Sequence, residues 1–400
     1  MNKKKRISTI LYISTLAMLL LGAVGGGLFP SFFMSISVIG TLYVNLLKLI
    51  VIPLLMCEVM YGVSASVGKA AGISLKAVLL FVIMFTLCFL ITTPIVQLIK
   101  PAAGFDFGSD LPEWSGEILT PTVSSFLLQI IPSNIFKAMS DGSLLPCILF
   151  SAVLGIAIGG TKAVRTREIL GELRGAFSKF LEYIMYLTPL AVFSLIGSTS
   201  ASYGIEVLKS CLVYVLTAWG CCLVCLVLVM ILPAWIFGGV SPVKYISKAW
   251  RVWVVSLSTC SSAATLPTTV KVCNEDFGVS GRVTSLVVPL GCTIHMCGGA
   301  VSFCLLALFS MQLCGISLTL GGFLLMLALA LLINMAAPGI PGGGIALGAS
   351  YLAMLGIPIV FIGVYSGVYR LLDMAYTTMN VTGDITANII INRCSKEKAE

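Results

Sequence analysis

Charge is what this chain most lacks. Only 10% of its 400 residues are Asp, Glu, Lys or Arg, whereas a soluble domain carries about 25%. Hydrophobic residues make up 58%. This balance excludes a soluble enzyme with a few anchors and predicts an all-α polytopic membrane protein in contact with lipids. The net charge of +8 does not indicate a nucleic-acid partner, because the basic residues lie in short loops, where they report topology.

Chemistry-bearing motifs are also scarce. The 14 cysteines lie mostly inside apolar stretches, without paired spacing in loops and without a Cys/His zinc pattern. They are therefore interpreted as small apolar fillers. The sequence shows no nucleophile–base pair and no phosphate-binding loop, so it predicts neither an enzyme nor an organic cofactor.

Basic residues set the predicted topology. Met1–Arg6 has the basic flank of a signal peptide, but Ile7–Phe29 is long enough to span and shows no clear cleavage site, so it is predicted to be a retained first span. Further spans are predicted at Ile36–Ser66 and Ala77–Ile99. The loop Pro101–Thr120 carries four acidic residues and no basic one, which places it outside. Both termini are predicted to be cytoplasmic, in the inner membrane, because basic residues recur on that side at Lys69, Lys76, Lys162, Arg165, Arg167, Arg174, Lys244, Lys248, Arg251, Lys271, Arg282, Arg393, Lys396 and Lys398.

Two apolar segments cannot be ordinary spans. Val252–Val272 contains a hydroxyl-rich stretch, Ser256–Pro267, and is flanked by basic residues at both ends, which predicts a re-entrant hairpin with a non-helical turn. Phe323–Val360 repeats this pattern around Pro338–Gly344, where two prolines and four glycines cannot continue a helix. Each hairpin is followed by a helix with a predicted polar break, at His295–Gly299 and at Asn380–Asp384. Paired broken segments indicate a transporter site at an inverted repeat.

Two aspartates lie in the last apolar segment, Val360–Ile391. Asp373 and Asp384 are eleven positions apart, about three helical turns, so both face one side. An intramembrane charge is energetically costly and usually lines an ion or substrate path. The alternative is a structural ion pair, for which Arg370 is the nearby cation, although it could serve one carboxylate but hardly both.

These motifs resemble the glutamate transporter family, the dicarboxylate/amino acid:cation symporters. The resemblance runs from about Leu46 to Asn392, with its most specific signatures at the first hairpin, at Pro338–Gly344 and at Leu372–Asp384. It implies eight transmembrane helices, two re-entrant helical hairpins, inverted repeats, elevator-type motion and a homotrimer. The implied domains are scaffold helices in 1–75 and 120–200, a transport-domain helix in 76–100, and the rest of the transport domain in 208–393.

The resemblance also implies a substrate site for a zwitterionic amino acid. Asp373, assisted by Thr377, would hold the amino group, since a buried ammonium needs an anion. Asn380 and Ser262 would donate to the carboxylate, next to Ser261 and Tyr376. The backbones of Cys260, Ile340 and Gly344 would complete the cradle. The alternative for Ser261 and Ser262 is that they only cap a tight turn.

Departures from the family pattern change the expected substrate. Members that take acidic substrates have an arginine three positions after the aspartate, where this chain has Tyr376, and a threonine where it has Gly299. Since both contacts to an acidic side chain are missing, a neutral amino acid is favoured. Arg370 could still turn toward the pocket, which leaves acidic amino acids or dicarboxylates as the alternative.

The cation sites implied by the resemblance are altered too. One sodium site loses its hard oxygen ligands, because His295 and Cys297 replace an asparagine and an aspartate and the third-helix positions are Phe81, Met84 and Phe85. A second site would use Asp384 with backbone oxygens of Gly291, His295 and Asn380. A third would use backbone carbonyls of Thr293, Asn334, Met335 and Ala337.

His295 is the only histidine in the chain. Free imidazole titrates near neutral pH, which suits a proton carrier, and the alternative is a neutral ring that hydrogen-bonds the unwound backbone. The sequence thus favours a sodium- and/or proton-coupled amino-acid symporter. A sodium-independent exchanger, an anion-conducting pore and a non-transporting scaffold stay open, although a scaffold has no reason to keep Asp373, Asn380 and Asp384.

Overall fold

The computed structural model describes residues 3–66, 71–103, 131–141, 144–161, 163–203, 206–334, 343–357 and 362–395. Within these ranges the regular structure is helical and no strand occurs, so the all-α prediction is confirmed there. The helices are α1 Lys3–Leu28, α2 Pro30–Ser66, α3 Ala71–Ile99, α4 Ile135–Ser140, α5 Leu144–Gly160, α6 Val164–Met185, α7 Thr188–Tyr203, α8 Glu206–Cys225, α9 Leu232–Ile236, α10 Pro242–Thr259, α11 Ser262–Lys271, α12 Gly281–Ile294, α13 Cys297–Leu313, α14 Leu320–Asn334, α15 Gly343–Met354 and α16 Ile362–Cys394.

Several of these helices are membrane spans by length and composition. The described residues contain three such stretches, Ile73–Ile99, Cys211–Ile236 and Gly281–Leu313. A fourth would be the pair Val164–Ile184 and Thr188–Ser202, which is bent by 52°. The count of eight spans stays a prediction, and most of the loop predicted at Pro101–Thr120 lies outside the described residues.

The first helices pack through small residues and hydroxyl groups. α1 and α2 both lie against α7, and α2 also contacts α5 and α6. A Cβ at Gly26 would overlap the backbone of Gly197, so glycine lets α1 and α7 approach closely. The Ser200 hydroxyl donates to Ala23 O over 2.6 Å. These contacts bind α1, α2 and α7 into one layer.

The C-terminal helix α16 is the centre of the second group of helices. It contacts α3, α8, α10, α12 and α13, and almost every described residue between Tyr365 and Ile391 is buried. Polar residues along α16 are held by its neighbours: Trp253 Nε1 donates to Thr382 Oγ1 over 2.8 Å, and Asn388 Nδ2 donates to Thr284 Oγ1 over 3.0 Å. A helix buried on all sides is thus a fixed platform for a site. The predicted domain boundaries stay predictions.

The first hairpin has a much tighter turn than its sequence predicted. The non-helical part is confined to Cys260 and Ser261, and the rest of Ser256–Pro267 is helical. The reason is local capping: Cys260 adopts a left-handed conformation (φ 50°) that ends α10, and Ser261 Oγ accepts a hydrogen bond from Ala264 N over 3.2 Å to begin α11. The predicted non-helical turn is therefore present within this hydroxyl-rich stretch and is limited to two residues.

The second hairpin is described only in its arms, α14 and α15. Its tip, residues 335–342, lies outside the described residues, and so do the predicted site residues Met335, Ala337 and Ile340. The described residues nearest the tip are Asn334 at the end of α14 and Gly343 at the start of α15, which is followed by the predicted site residue Gly344.

Candidate substrate and cation site

A row of buried polar side chains follows one side of α16. Asp373, Thr377, Asn380 and Asp384 are spaced at three or four positions, and each is at most 8% exposed. Thr377 Oγ1 donates to Asp373 Oδ1 over 3.2 Å. The row therefore places both carboxylates and the Asn380 amide along a single face of one helix, as predicted.

The break predicted in this helix at Asn380–Asp384 is absent. α16 runs without interruption from Ile362 to Cys394. This motif has one glycine and no proline, so no residue in it forces the helix to end. Gly383 has a packing role instead, because a Cβ there would overlap Cε1 of His295. That prediction was wrong.

The other predicted break is present. α12 ends at Ile294. His295 has extended backbone and Met296 is also non-helical before α13 begins at Cys297. The freed N–H of Gly298 donates to Asn380 Oδ1 over 2.8 Å. A Cβ at Gly298 would overlap the backbone of Tyr376, so α13 begins directly against α16. The broken helix thus brings a helix N-terminus to the polar row.

His295 lies inside this break and joins three elements. Its Nδ1 is 2.9 Å from Asp384 Oδ1, and its Nε2 is 2.9 Å from Cys297 Sγ. The ring stacks on Phe81 of α3, with centroids 4.3 Å apart and planes 12° from parallel. A neutral ring with its proton on Nδ1 donates to the carboxylate and accepts from the thiol, whereas an imidazolium donates to both. His295 is therefore the side-chain partner of Asp384.

The surroundings of this pair are poor in hard oxygen ligands. Phe81, Met84 and Phe85 are all buried on the α3 side. No group of three or more His, Cys, Asp or Glu side chains suited to a metal ion occurs in the described residues. Of the predicted oxygen ligands, the Asp384 carboxylate contacts His295 and the Gly291 carbonyl accepts from His295 N over 2.8 Å. The use of these oxygens and of the Thr293 carbonyl by a cation stays a prediction. The Thr293 hydroxyl itself donates to Leu290 O over 2.7 Å.

The hairpin tip approaches α16 beside Asp373. Cys260 lies within electrostatic range of Asp373 and Arg370, and both Ser261 and Ser262 are buried. Ser261 caps α11, in agreement with the alternative that this serine caps a tight turn. The first hairpin is anchored below its tip where Ser256 Oγ lies 2.9 Å from Thr378 Oγ1.

Two residues that the sequence analysis missed lie at the second hairpin. A Cβ at Gly344 would overlap the Tyr369 hydroxyl, so this phenol reaches the start of α15. Tyr369 stands one helical turn before Asp373, a spacing that could have identified it. Asn334 was predicted only through its backbone carbonyl. Its side-chain Oδ1 lies where a Cβ at residue 299 would be.

Gly291 makes a local test of this geometry possible. A Cβ at this position would overlap Asp384 Oδ1 and lie 3.1 Å from Phe81 Cζ. Gly291→Ala is therefore expected to displace the carboxylate from His295 and to lower ion-driven uptake by about tenfold or more. Gly281→Ala, whose Cβ would meet nothing within 4 Å, is the matched control and should keep wild-type uptake. Equal uptake by the two variants in proteoliposomes would contradict the packing described.

Buried carboxylates at a broken helix between hairpins define an integral membrane transporter, not an enzyme. Residues 11–394 match the sodium:dicarboxylate symporter family, and the chain belongs to this family. The resemblance stated from the motifs is thereby confirmed.

Characterised relatives cover nearly the whole chain. The proton/glutamate-aspartate symporter of Bacillus subtilis (strain 168) is 28% identical over 393 residues, 94% of this chain and 93% of the relative. C4-dicarboxylate transport protein 2 of Mesorhizobium japonicum is 27% identical over 412 residues, 100% and 92% of the two chains. The proton/sodium-glutamate symport protein of Bacillus caldotenax is 28% identical over 390 residues, 94% and 92%.

Proposed function

We propose that this protein is a secondary active symporter that couples sodium and/or proton entry to uptake of an amino acid with a neutral side chain. It works as a homotrimer in the inner membrane, with both termini cytoplasmic and elevator-type alternating access. The observation that carries the proposal is the row of Asp373, Thr377 and Asn380 on one face of α16. Asn380 Oδ1 accepts from Gly298 N at the start of α13, and Asp373 lies beside the tip of the first hairpin.

The polar row offers complementary groups for the two ends of an amino acid. The Asp373 carboxylate binds the substrate ammonium, with Thr377 holding one carboxylate oxygen in place. The Asn380 amide is oriented by Gly298 N, which bonds its Oδ1 and leaves its Nδ2 as the group that can donate to the substrate carboxylate. Ser262 and the Gly344 backbone complete the site from the hairpins.

The side-chain end of the pocket favours a neutral substrate. Tyr376 is 3% exposed, and its hydroxyl has no hydrogen-bond partner among the described residues. A phenol brings no positive charge, so a second substrate carboxylate would be buried without a counter-ion at this position. Gly299 adds no side-chain donor.

Acidic amino acids or dicarboxylates are the second candidate. The relatives' names include glutamate, aspartate and C4-dicarboxylates. Arg370 lies on α16 one turn before Asp373 and within electrostatic range of the same hairpin tip. In this arrangement Arg370 would supply the cation that Tyr376 does not.

Competition for uptake separates the two candidates. In proteoliposomes with sodium and pH gradients imposed separately, neutral amino acids are expected to inhibit labelled-substrate uptake at about tenfold lower concentration than aspartate or succinate. Tyr376→Arg should reverse this order, because it adds a buried cation for the second carboxylate. The control Tyr376→Phe keeps the ring and should keep the neutral preference. If aspartate or succinate already competes best with the unmodified protein, the second candidate is correct.

A further inference from the structure

The Asn334 side chain carries a buried hydrogen-bond acceptor, Oδ1, that no described residue bonds. Asn334 is 2% exposed, and its Oδ1 has no hydrogen-bond partner in the part of the chain that the structure describes. An unpaired buried amide oxygen is unfavourable by about 1–3 kcal/mol, so such groups usually serve a ligand or a bound water. A hydrogen-bond donor to Asn334 Oδ1 would therefore be stabilising.

This oxygen lies against the first turn of α13, which also contacts the polar row of α16. A Cβ at Gly299 would overlap Asn334 Oδ1, and the adjacent Gly298 N donates to Asn380 Oδ1. Two neighbouring residues in the first turn of α13 thus contact one asparagine from α14 and one from α16. Asn380 meets this turn from the polar row of α16, and Asn334 meets it from the second hairpin.

The absence of a side chain at residue 299 is what allows this arrangement. Any larger residue would occupy the place of Oδ1, and the next atoms near that Cβ position are Asn334 Cγ at 3.2 Å and Met296 Cβ at 3.7 Å. Asn334 also lines a cavity of about 10 Å³ with Ile294, His295 and Met296. That volume suffices for about one water molecule, so solvation by water is the competing explanation for the unpaired oxygen.

We infer that Asn334 Oδ1 is a specificity-determining acceptor that selects substrates carrying a hydroxyl or amide donor on the side chain. This inference deepens the proposed function and rests on the substrate lying against α13. The physical reason is that only a donor on the substrate satisfies the oxygen, whereas an apolar analogue leaves it unpaired and an acidic one brings a second acceptor. Expected substrates are therefore of the serine, threonine, asparagine or glutamine type.

Matched ligand pairs test the inference. Threonine and 2-aminobutyrate differ by a hydroxyl on the same carbon skeleton, and so do malate and succinate. The wild type is expected to bind the hydroxylated member of the transported pair about tenfold or more tightly, measured by competition with labelled substrate in proteoliposomes. Asn334→Leu keeps the branched shape without the oxygen, and should bring the two members within about twofold of each other.

Two further variants keep the test informative if Asn334→Leu does not fold. Asn334→Asp keeps an acceptor in the same shape and should keep the preference for the hydroxyl. Gly299→Ala pushes on Oδ1 and should lower that preference. The control is Asn388→Leu. Asn388 is fully buried, its Oδ1 likewise has no partner among the described residues, and its Nδ2 donates to Thr284 away from the site, so this variant should keep the wild-type preference.

The possible outcomes separate this inference from the proposed function. If the wild type binds both ligands of a pair equally, Asn334 Oδ1 is solvated by water and the inference is wrong. The inference is also wrong if Asn334→Leu still prefers the hydroxylated ligand. If the malate and succinate pair outcompetes the amino acids, the proposed neutral substrate is wrong, while a malate preference that depends on Asn334 still supports the inference. Failure of both pairs to bind overturns both.

Discussion

Replacing Asp373 with alanine is expected to abolish substrate binding while leaving the protein folded. Asp373 is 6% exposed, its Oδ1 accepts from Thr377, and it faces the tip of the first hairpin. Loss of one partner of a buried, hydrogen-bonded charge pair costs about 2–5 kcal/mol, which corresponds to a loss of affinity from about 30-fold to several thousand-fold. Calorimetry on the purified variant measures this loss.

Two companion variants separate charge from packing. Asp373→Asn keeps the shape and removes the charge, so it is expected to lose nearly as much affinity as the alanine variant. Asp276→Ala removes an aspartate that pairs with Lys248 and Arg251 away from the site, and should leave affinity unchanged, since partly exposed ion pairs contribute little. Near wild-type affinity in Asp373→Ala would remove this residue from the site.

The second large effect is expected at the His295–Asp384 pair. Both side chains are at most 2% exposed, and Asp384→Asn leaves the imidazole without its carboxylate. Removing one partner of a buried ion pair leaves the other partner unpaired, which strongly destabilises the local packing around it. Uptake driven by an ion gradient is therefore expected to fall by at least about tenfold in proteoliposomes, and size-exclusion chromatography should show the same elution volume as the wild type.

The His295–Asp384 pair also predicts that ion coupling differs from that of family members with asparagine and aspartate at positions 295 and 297. Phe81, Met84 and Phe85 supply hydrocarbon where hard oxygens would be needed, so the sodium dependence of uptake should be shallower than in such a member. His295→Asn should flatten the dependence of uptake on pH. The titratable groups that face the ring in the described structure are Asp384 from α16 and Cys297 from α13, so Cys297→Ser is the control that keeps the imidazole. If His295→Asn leaves the pH profile of uptake unchanged, His295 has only a structural, hydrogen-bonding role. If the sodium dependence is steep, the cation site predicted to be missing is present.

The polar row on α16 could be predicted because it depends only on helical spacing. Asp373, Thr377, Asn380 and Asp384 recur at three or four positions, and any continuous helix brings them to one face. The break before Cys297 was also accessible, since two adjacent glycines follow a polar residue in an apolar stretch. Membrane character followed from composition, because few charges and long apolar stretches cannot form a soluble surface.

Contacts between elements distant in sequence could not be predicted from helical spacing or composition. His295 and Asp384 are 89 positions apart, and their 2.9 Å contact depends on α12 packing against α16. The predicted break at Asn380–Asp384 was wrong, because α16 is continuous through this motif, which has one glycine and no proline. The length of the first hairpin's turn was not predicted either, because it depends on how Cys260 ends α10 and Ser261 caps α11.

The sequence by itself determined that this is a helical membrane protein of a transporter family and which side chains carry its charge, because composition, periodicity and motif spacing are properties of the chain alone. Only the tertiary structure decided what those side chains meet. It paired Asp384 with His295, placed Phe81 over the ring, and put Asn334 Oδ1 in the space beside Gly299. The physical reason is that burial and hydrogen bonding depend on how helices pack against one another, and that packing is fixed by residues far apart in sequence.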